Sequence, residues 1–468
     1  MLNLIIGICH FMLPTCIALV FCLVCYRYGA DGRIGFMGRI YRNRLLLDFF
    51  YKSSTMVYMS TINVTSEIGN LKKVMLHRPG NELLLLTPET LEELLFDDIP
   101  YLKNAQQEHD EFASILREQG VEVVYLADLT AEALATSEEV RENFLRQYVQ
   151  DSGVQSIYYK AALYDYLSSI SDCKELVLKT MSGILFSEIQ EPPFESLSSY
   201  LDNSERIFVK PMPNLYFTRD AFACVGNGVS INRMYSVTRN RETIYGHYIF
   251  NYHPDYAGKV PLLYERNSTD SIEGGDILNI SKNTVAIGIS QRTTAEAIDE
   301  FSQNIFFNSN SEVKTIIALD IPKTRSFMHL DTVFTQIDYD KFTFHPGIMG
   351  PLRIFEITKG AKIGEVKICQ SDISLEKLLE KYTGASYIEL IPCAGGSRIA
   401  SMREQWNDGS NTLCVRPGTV VVYSRNNITN EILDKKGIKV LEMSCGELSR
   451  GRGGPRCMSM PFVRDELH

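Results

Sequence analysis

Cys457 closes a segment, Leu448-Ser449-Arg450-Gly451-Arg452-Gly453-Gly454-Pro455-Arg456-Cys457, dominated by glycine and arginine. Glycines free the backbone for close approach to a ligand, and arginines supply both a carboxylate clamp and a field that favours thiolate. A cysteine so placed is expected to be a nucleophile. The plainer possibility is one buried thiol among eleven cysteines, but structural cysteines tend to sit in apolar runs. The segment lacks the Gly-Lys-Ser/Thr ending of a phosphate-cradling loop, so nucleotide binding is a poor rival.

Three further groups supply what such a nucleophile needs: Asn214-Leu215-Tyr216-Phe217-Thr218-Arg219-Asp220, Glu273-Gly274-Gly275-Asp276, and Met328-His329-Leu330-Asp331-Thr332-Val333-Phe334-Thr335. Each puts an ionisable residue at the end of an apolar or β-prone stretch, where strand ends present side chains to a cleft. Taken singly they have bland readings. Arg219-Asp220 could be a surface ion pair, Glu273 to Asp276 a turn, and His329-x-Asp331 half of a facial-triad iron site. That iron site needs a second downstream histidine, and only His345 and His468 follow. The body of the chain carries no CxxC pair, HExxH or EF-hand loop, so neither metal nor other cofactor is expected.

In this order the groups resemble the arginine deiminases, a branch of the guanidino-group-modifying (pentein) superfamily. The resemblance runs from about Asn63 to the C-terminus. It includes Ser66-Glu67-Ile68-Gly69, Leu76-His77-Arg78-Pro79-Gly80 and Leu95-Phe96-Asp97-Asp98-Ile99-Pro100-Tyr101-Leu102. It implies an α/β fold, a five-bladed pseudo-symmetric ββαβ propeller with an inserted α-helical bundle, and a site on the central axis. It also implies Cys457, His329, Asp220, Glu273 and Asp331 as the catalytic set. Arg239, Arg292 and Arg452 would bind a substrate carboxylate, with Asn214, Phe217 and the Gly451 backbone lining the remainder. Thr238-Arg239-Asn240-Arg241 could equally be a solvated turn, and Arg456 stands where some relatives have histidine.

The chemistry is consistent with those assignments. A guanidinium is planar, cationic and forked, and two carboxylates can grip it in one plane; Asp220, Glu273 and either Asp276 or Asp331 are suited to that. Sulfur attack needs thiolate, and a free cysteine is only a few per cent ionised at neutral pH. A cation about 4 Å away contributes on the order of 4 kcal/mol at an effective dielectric of about 20, nearly a thousandfold in ionisation before the carboxylates offset some of it. The substrate can thus switch on its own nucleophile. His329 would protonate departing ammonia and then activate water, converting L-arginine to L-citrulline. An amidinotransferase or an agmatine or dimethylarginine hydrolase would share these groups. A membrane-tethered surface protein using the same fold for adhesion is the alternative of another class.

Composition sets the frame. The 468 residues, 45% hydrophobic, can bury a large core, and a net charge of -10 disfavours nucleic acid as a partner. Four cysteines lie in the first 25 residues; the other seven, scattered, read as reduced cytoplasmic thiols. A homo-oligomer is the expected assembly. Strands are predicted over 71–76 and 121–126 around a helix at 104–118, and over 412–415 and 419–424 before a helix at 427–436 and a strand at 438–443. Helical periodicity over 137–150 and 156–169 marks an insertion of about 130–204. Residues 1–58 form a separate extension before a catalytic domain at 59–468. Leu2 to Tyr26 is apolar enough to span a bilayer, and its basic flank would keep the catalytic domain cytoplasmic, so a membrane is a partner only if that segment inserts. The simpler expectation is that Met59 is the natural start.

Overall fold

The computed structural model describes residues 61–190, 206–348, 352–362 and 364–467. These fall within the compact unit Ser60–His468. The readings of residues 1–58 as an extension and of 2–26 as a membrane span lie outside the described residues. Among the described residues no helix is long and apolar enough to cross a membrane.

Five sheets repeat one plan: an antiparallel pair, a helical crossover, and a third strand parallel to the second. Phe222–Val225 pairs with Gly228–Ile231, and Leu262–Tyr264 returns alongside the latter after the helix Thr243–Tyr252. The plan recurs in Ile277–Ser281, Thr284–Ile289 and Thr315–Asp320. It recurs again in Phe334–Gln336, Lys341–Phe344 and Glu389–Pro392, and in Leu413–Arg416, Thr419–Tyr423 and Lys439–Met443. In the fifth sheet Met460–Arg464 pairs with Leu71–Leu76, and Glu122–Tyr125 lies parallel to the latter, so opposite ends of the sequence share one ladder. A parallel neighbour requires a crossover, which is why a helix follows each hairpin. A further hairpin, Arg353–Lys359 with Val366–Ser371, extends the second of these sheets.

Local chemistry sets the boundaries. Leu102–Glu118 stops at Gly120 and Asn427–Lys435 at Gly437, both glycines at a φ near +80° that a side chain would resist. The strand expected over 121–126 ends at Tyr125, because Leu126 opens the helix Leu126–Leu134 with Asp128 in its first turn. The helical stretch therefore begins before residue 130. It continues through Glu138–Asp151, Ile157–Ser168 and Cys173–Ser182, whose caps Ser137, Ser156 and Asp172 each accept a backbone N–H from their first turn. Phe144, Leu163, Leu167 and Met181 from these helices join Ile231, Tyr245 and Phe462 in one core. Truncating a fully buried leucine there, such as Leu163, would cost about 2–5 kcal/mol. The helices are thereby fastened to the sheets that carry the site.

Candidate active site

The chemistry-bearing residues share one position in this plan, immediately before the first strand of a sheet. Asp220 precedes Phe222–Val225, Glu273 and Asp276 precede Ile277–Ser281, His329 and Asp331 precede Phe334–Gln336, and Cys457 precedes Met460–Arg464. Glycine allows these turns to touch. A Cβ on Gly274 would lie 1.9 Å from the Arg219 carbonyl oxygen, and one on Gly275 would lie 2.6 Å from His329 Nδ1. Together the turns and the Cys457 loop enclose a cavity of about 250 Å³.

Cys457, His329, Asp220, Asn214, Phe217, Gly451 and the three arginines 239, 292 and 452 all line it. Glu273 and Asp331 stand behind that lining. Glu273 accepts a 2.7 Å hydrogen bond from His329 Nε2 and a 3.0 Å bond from the Tyr235 N–H. Burial opposes its charge, yet the His329 bond and Arg292 hold it down to about 2. Burial likewise opposes a charged His329, but Asp220 and Glu273 outweigh it and raise the ring to about 9. His329 is accordingly an imidazolium at neutral pH.

Cys457 Sγ lies 3.5 Å from Asp331 Oδ2, and its backbone is held at both ends: Asn411 Oδ1 accepts the Cys457 N–H at 3.1 Å, and the Cys457 carbonyl accepts from Arg219 N at 3.0 Å. Burial, then Asp331, Asp220 and Asp408, push the thiol well above its usual range, with Arg456 only partly compensating. This corrects the expectation that the loop's arginines favour thiolate. Arg456 is spent on Glu67 and, at 2.7 Å, on Asp331, while Arg450 pairs with Asp98, so the net field at sulfur is negative.

Among the described residues three buried carboxylate oxygens have no hydrogen-bond partner: Asp220 Oδ1, Asp331 Oδ1 and Asp408 Oδ2. Asp220 Oδ2 accepts from Arg239 at 2.9 Å and Asp331 Oδ2 from Arg456, but Asp220 Oδ1 and Asp331 Oδ1 are buried with no hydrogen-bond partner. An unpartnered buried carboxylate oxygen is costly and calls for a donor. Asp276, which the chemistry alone offered as a second grip, faces away from the cavity and is fully hydrogen-bonded.

The arginines differ in freedom. Arg239 is 5% exposed and bound to Glu242 as well as Asp220, so it is a buried ion-pair partner and not the solvated turn that its neighbours suggested. Arg292 Nε has no partner, its Nη1 is 4.0 Å from Glu273, and its guanidinium lies over the Tyr235 ring. Arg452, at φ +64°, lies 3.6 Å from the centroid of Trp406 and reaches Asp97 at 3.4 Å. Asn214 donates to the Leu94 carbonyl.

Sequence reasoning missed Arg325, which lines the cavity and pairs with Asp97, and also Asn411 and Asp408. Asp408 is 3% exposed at φ +59°, and burial, only partly offset by Arg452, raises it to about 7. The signal was available: Asn407-Asp408-Gly409-Ser410-Asn411 precedes Leu413–Arg416 as the other motifs precede their strands. Asp220, Glu273 and His329 also offer ligand atoms within 4.8 Å of one another. A cation held there would have to displace the His329–Glu273 bond and sit against Arg239, so the donor set suits a proton better than a metal.

The family model for arginine deiminase matches residues 92–464. The arginine deiminase of Treponema denticola is 65% identical over 409 residues, covering 87% of this chain and 100% of its own. That of Clostridium perfringens is 53% identical over 409 residues, 87% of this chain and 98% of its own. A solved amidinotransferase of the saxitoxin pathway, from Microseira wollei, superposes with a TM-score of 0.49 and 15% identity over 87% of this chain and 98% of its own. The turns and the cavity bring a cysteine, a histidine, an aspartate and four arginines to one space. The chain belongs to the arginine deiminase family.

Proposed function

We propose that this chain hydrolyses free L-arginine to L-citrulline and ammonia through a covalent Cys457 intermediate. One observation carries the reading: Asp220 Oδ1, 3.8 Å from His329 Nδ1, and Asp331 Oδ1 are buried without hydrogen-bond partners near the thiol, two acceptors suited to the N–H fork of a guanidinium. Family membership favours the deiminase over an amidinotransferase or an agmatine or dimethylarginine hydrolase.

A guanidinium between these carboxylates cancels the negative field that keeps Cys457 protonated, and the thiol gives its proton to solvent. Sγ bonds to the guanidinium carbon. His329, charged before attack, gives its proton to one nitrogen, and the C–N bond breaks to release ammonia. The neutral ring then takes a proton from water, whose oxygen attacks the thiouronium carbon; the C–S bond breaks as the adduct's hydroxyl proton passes to sulfur, and citrulline, the thiol and the imidazolium remain. Glu273 fixes the ring throughout. Arg292 and Arg452 take the substrate's α-carboxylate, with Asn214, Phe217 and Gly451 along its stem, while Arg239 serves both the mouth and Asp220. The five sheets are the blades of a pseudo-symmetric propeller with this site on its axis. The helical insertion stands outside the blades, residues 1–58 outside the chemistry, and the enzyme works in the cytoplasm as a homo-oligomer.

The deciding measurement is citrulline and ammonia release from L-arginine by the purified full chain. Equimolar release that EDTA leaves unchanged is expected; loss on chelation, restored by one divalent ion, would overturn the metal-free route.

A further inference from the structure

Asp276 touches neither the cavity nor sulfur, yet its carboxylate gathers three of the turns that form the site. It is fully buried. Oδ1 accepts the backbone N–H of Leu330, the residue between His329 and Asp331, at 2.8 Å. Oδ2 accepts the hydroxyls of Ser290 and Thr293, each at 2.6 Å. Ser290 Oγ in turn accepts the Arg292 and Thr293 N–H groups at 2.9 and 3.1 Å, and Thr293 Oγ1 accepts the Glu273 N–H at 3.1 Å. Gly288 leaves the room required, since a Cβ there would lie 2.4 Å from Asp276 Oδ1.

We propose that Asp276 is a positioning residue for this reaction, holding the His329–Asp331 turn and the Arg292 turn in one register so that nucleophile chemistry and carboxylate recognition share a frame. The inference rests on the deiminase reading of the site. Donors converge on both carboxylate oxygens, so an acceptor-only group is required. An amide in either orientation aims an N–H at another donor: at the Leu330 N–H, or at two hydroxyls whose oxygens already accept N–H groups and whose protons would then lose their acceptor. Asp276→Asn, nearly isosteric, is therefore the informative change.

The test is steady-state turnover of L-arginine with the full chain. Asp276→Asn is expected to lose about 100-fold in kcat and to raise KM as well, because both turns move. A merely structural defect would lower the folded fraction, and hence apparent kcat, and leave KM alone. The outer donor gives a gentler control. Thr293→Val should lose about tenfold at an almost unchanged melting temperature, and Thr293→Ser, which restores the hydroxyl, should recover activity to within about twofold. These two variants decide the matter if Asp276→Asn does not fold. Unchanged kcat and KM in folded Asp276→Asn, or equal losses in Thr293→Val and Thr293→Ser, would overturn the proposal. Absence of citrulline from the unaltered chain would instead overturn the deiminase reading beneath it.

Discussion

The floor of the cavity and its mouth hold the same kinds of charge under different conditions. At the floor the His329 and Glu273 side chains are 2% and 0% exposed, and against the opposing effect of burial Asp220 and Glu273 raise His329 while His329 and Arg292 lower Glu273. At the mouth the Arg325 and Asp97 side chains are 47% and 24% exposed, and those of Arg450 and Asp98 are 33% and 60% exposed. A buried pair acts through a low dielectric and resists salt; an exposed one is screened and contributes at most about 1 kcal/mol. On the proposed reaction, the difference divides the labour: the floor carries the chemistry, and the mouth tunes which guanidine reaches it and how readily.

The sharpest way to break that division is to remove the sulfur. Cys457→Ser should lose on the order of 10⁴-fold or more, since the negative surroundings that raise a thiol hold a far weaker acid protonated. Acid-quenched turnover of the unaltered chain should leave a mass increase on the peptide containing Cys457. Substantial turnover by the serine variant, with no adduct in the parent, would mean that water attacks arginine directly.

Next in size is the boundary between the regions. Arg292→Leu leaves the desolvated substrate carboxylate to Arg452 alone, and the barrier measured by kcat/KM for L-arginine should rise by about 2–5 kcal/mol, while agmatine, which has no carboxylate, loses little. Arg239→Leu should penalise both compounds, because its guanidinium is committed to Asp220. Equal losses for the two substrates in Arg292→Leu would remove it from carboxylate recognition.

How much of this was legible obeys the same division. Cys457, His329 and Asp220 stood out because each motif pairs a reactive side chain with glycines or an apolar or β-prone run, and the structure gathers them about one cavity, each in the turn before a strand and not at a strand's end. The sign of the field at Cys457 could not be read. Arg450, Arg452 and Arg456 share one short loop, but their charges go to Asp98, Asp97 and the Glu67–Asp331 pair, partners 125 to 389 residues away for the bonds at hand. Asp97 and Arg325, 228 residues apart, carry no local signature, and Asp276 stood as an alternative to Asp331 for gripping the substrate until its donors were placed. Secondary structure was largely legible where caps and glycines punctuate it, and misjudged at Tyr125–Leu126, where strand passes into helix with no breaker between.

A third test titrates the floor. His329, raised from 6.5 to about 9 in the folded chain, contributes stability that is fully present below pH 6.5 and is lost as pH rises through 9. Chemical denaturation at pH 6.5 and 9.5 should therefore differ by up to about 3 kcal/mol from this group, and His329→Ala should lose that part of the slope. Turnover should fall over the same window, as the ring loses the proton that ammonia needs. A pH-independent difference between parent and variant would contradict the charged-histidine floor.

The smallest effect is expected at the mouth, and its direction is the informative part. Asp97 presents a carboxylate to Arg452 and Arg325, both of which line the cavity, so in the empty site it occupies cations that the substrate's own carboxylate would use. Asp97→Asn removes that competitor. KM for L-arginine should fall by up to about fivefold, the size of one partly exposed ion pair, and the gain should shrink as added salt screens the parent's pair. Agmatine, with no carboxylate to compete, should keep its KM. Were Asp97 needed instead to hold Arg452 in its bent φ +64° conformation, the same substitution would raise KM for L-arginine, and the mouth would have to be counted with the floor as fixed machinery.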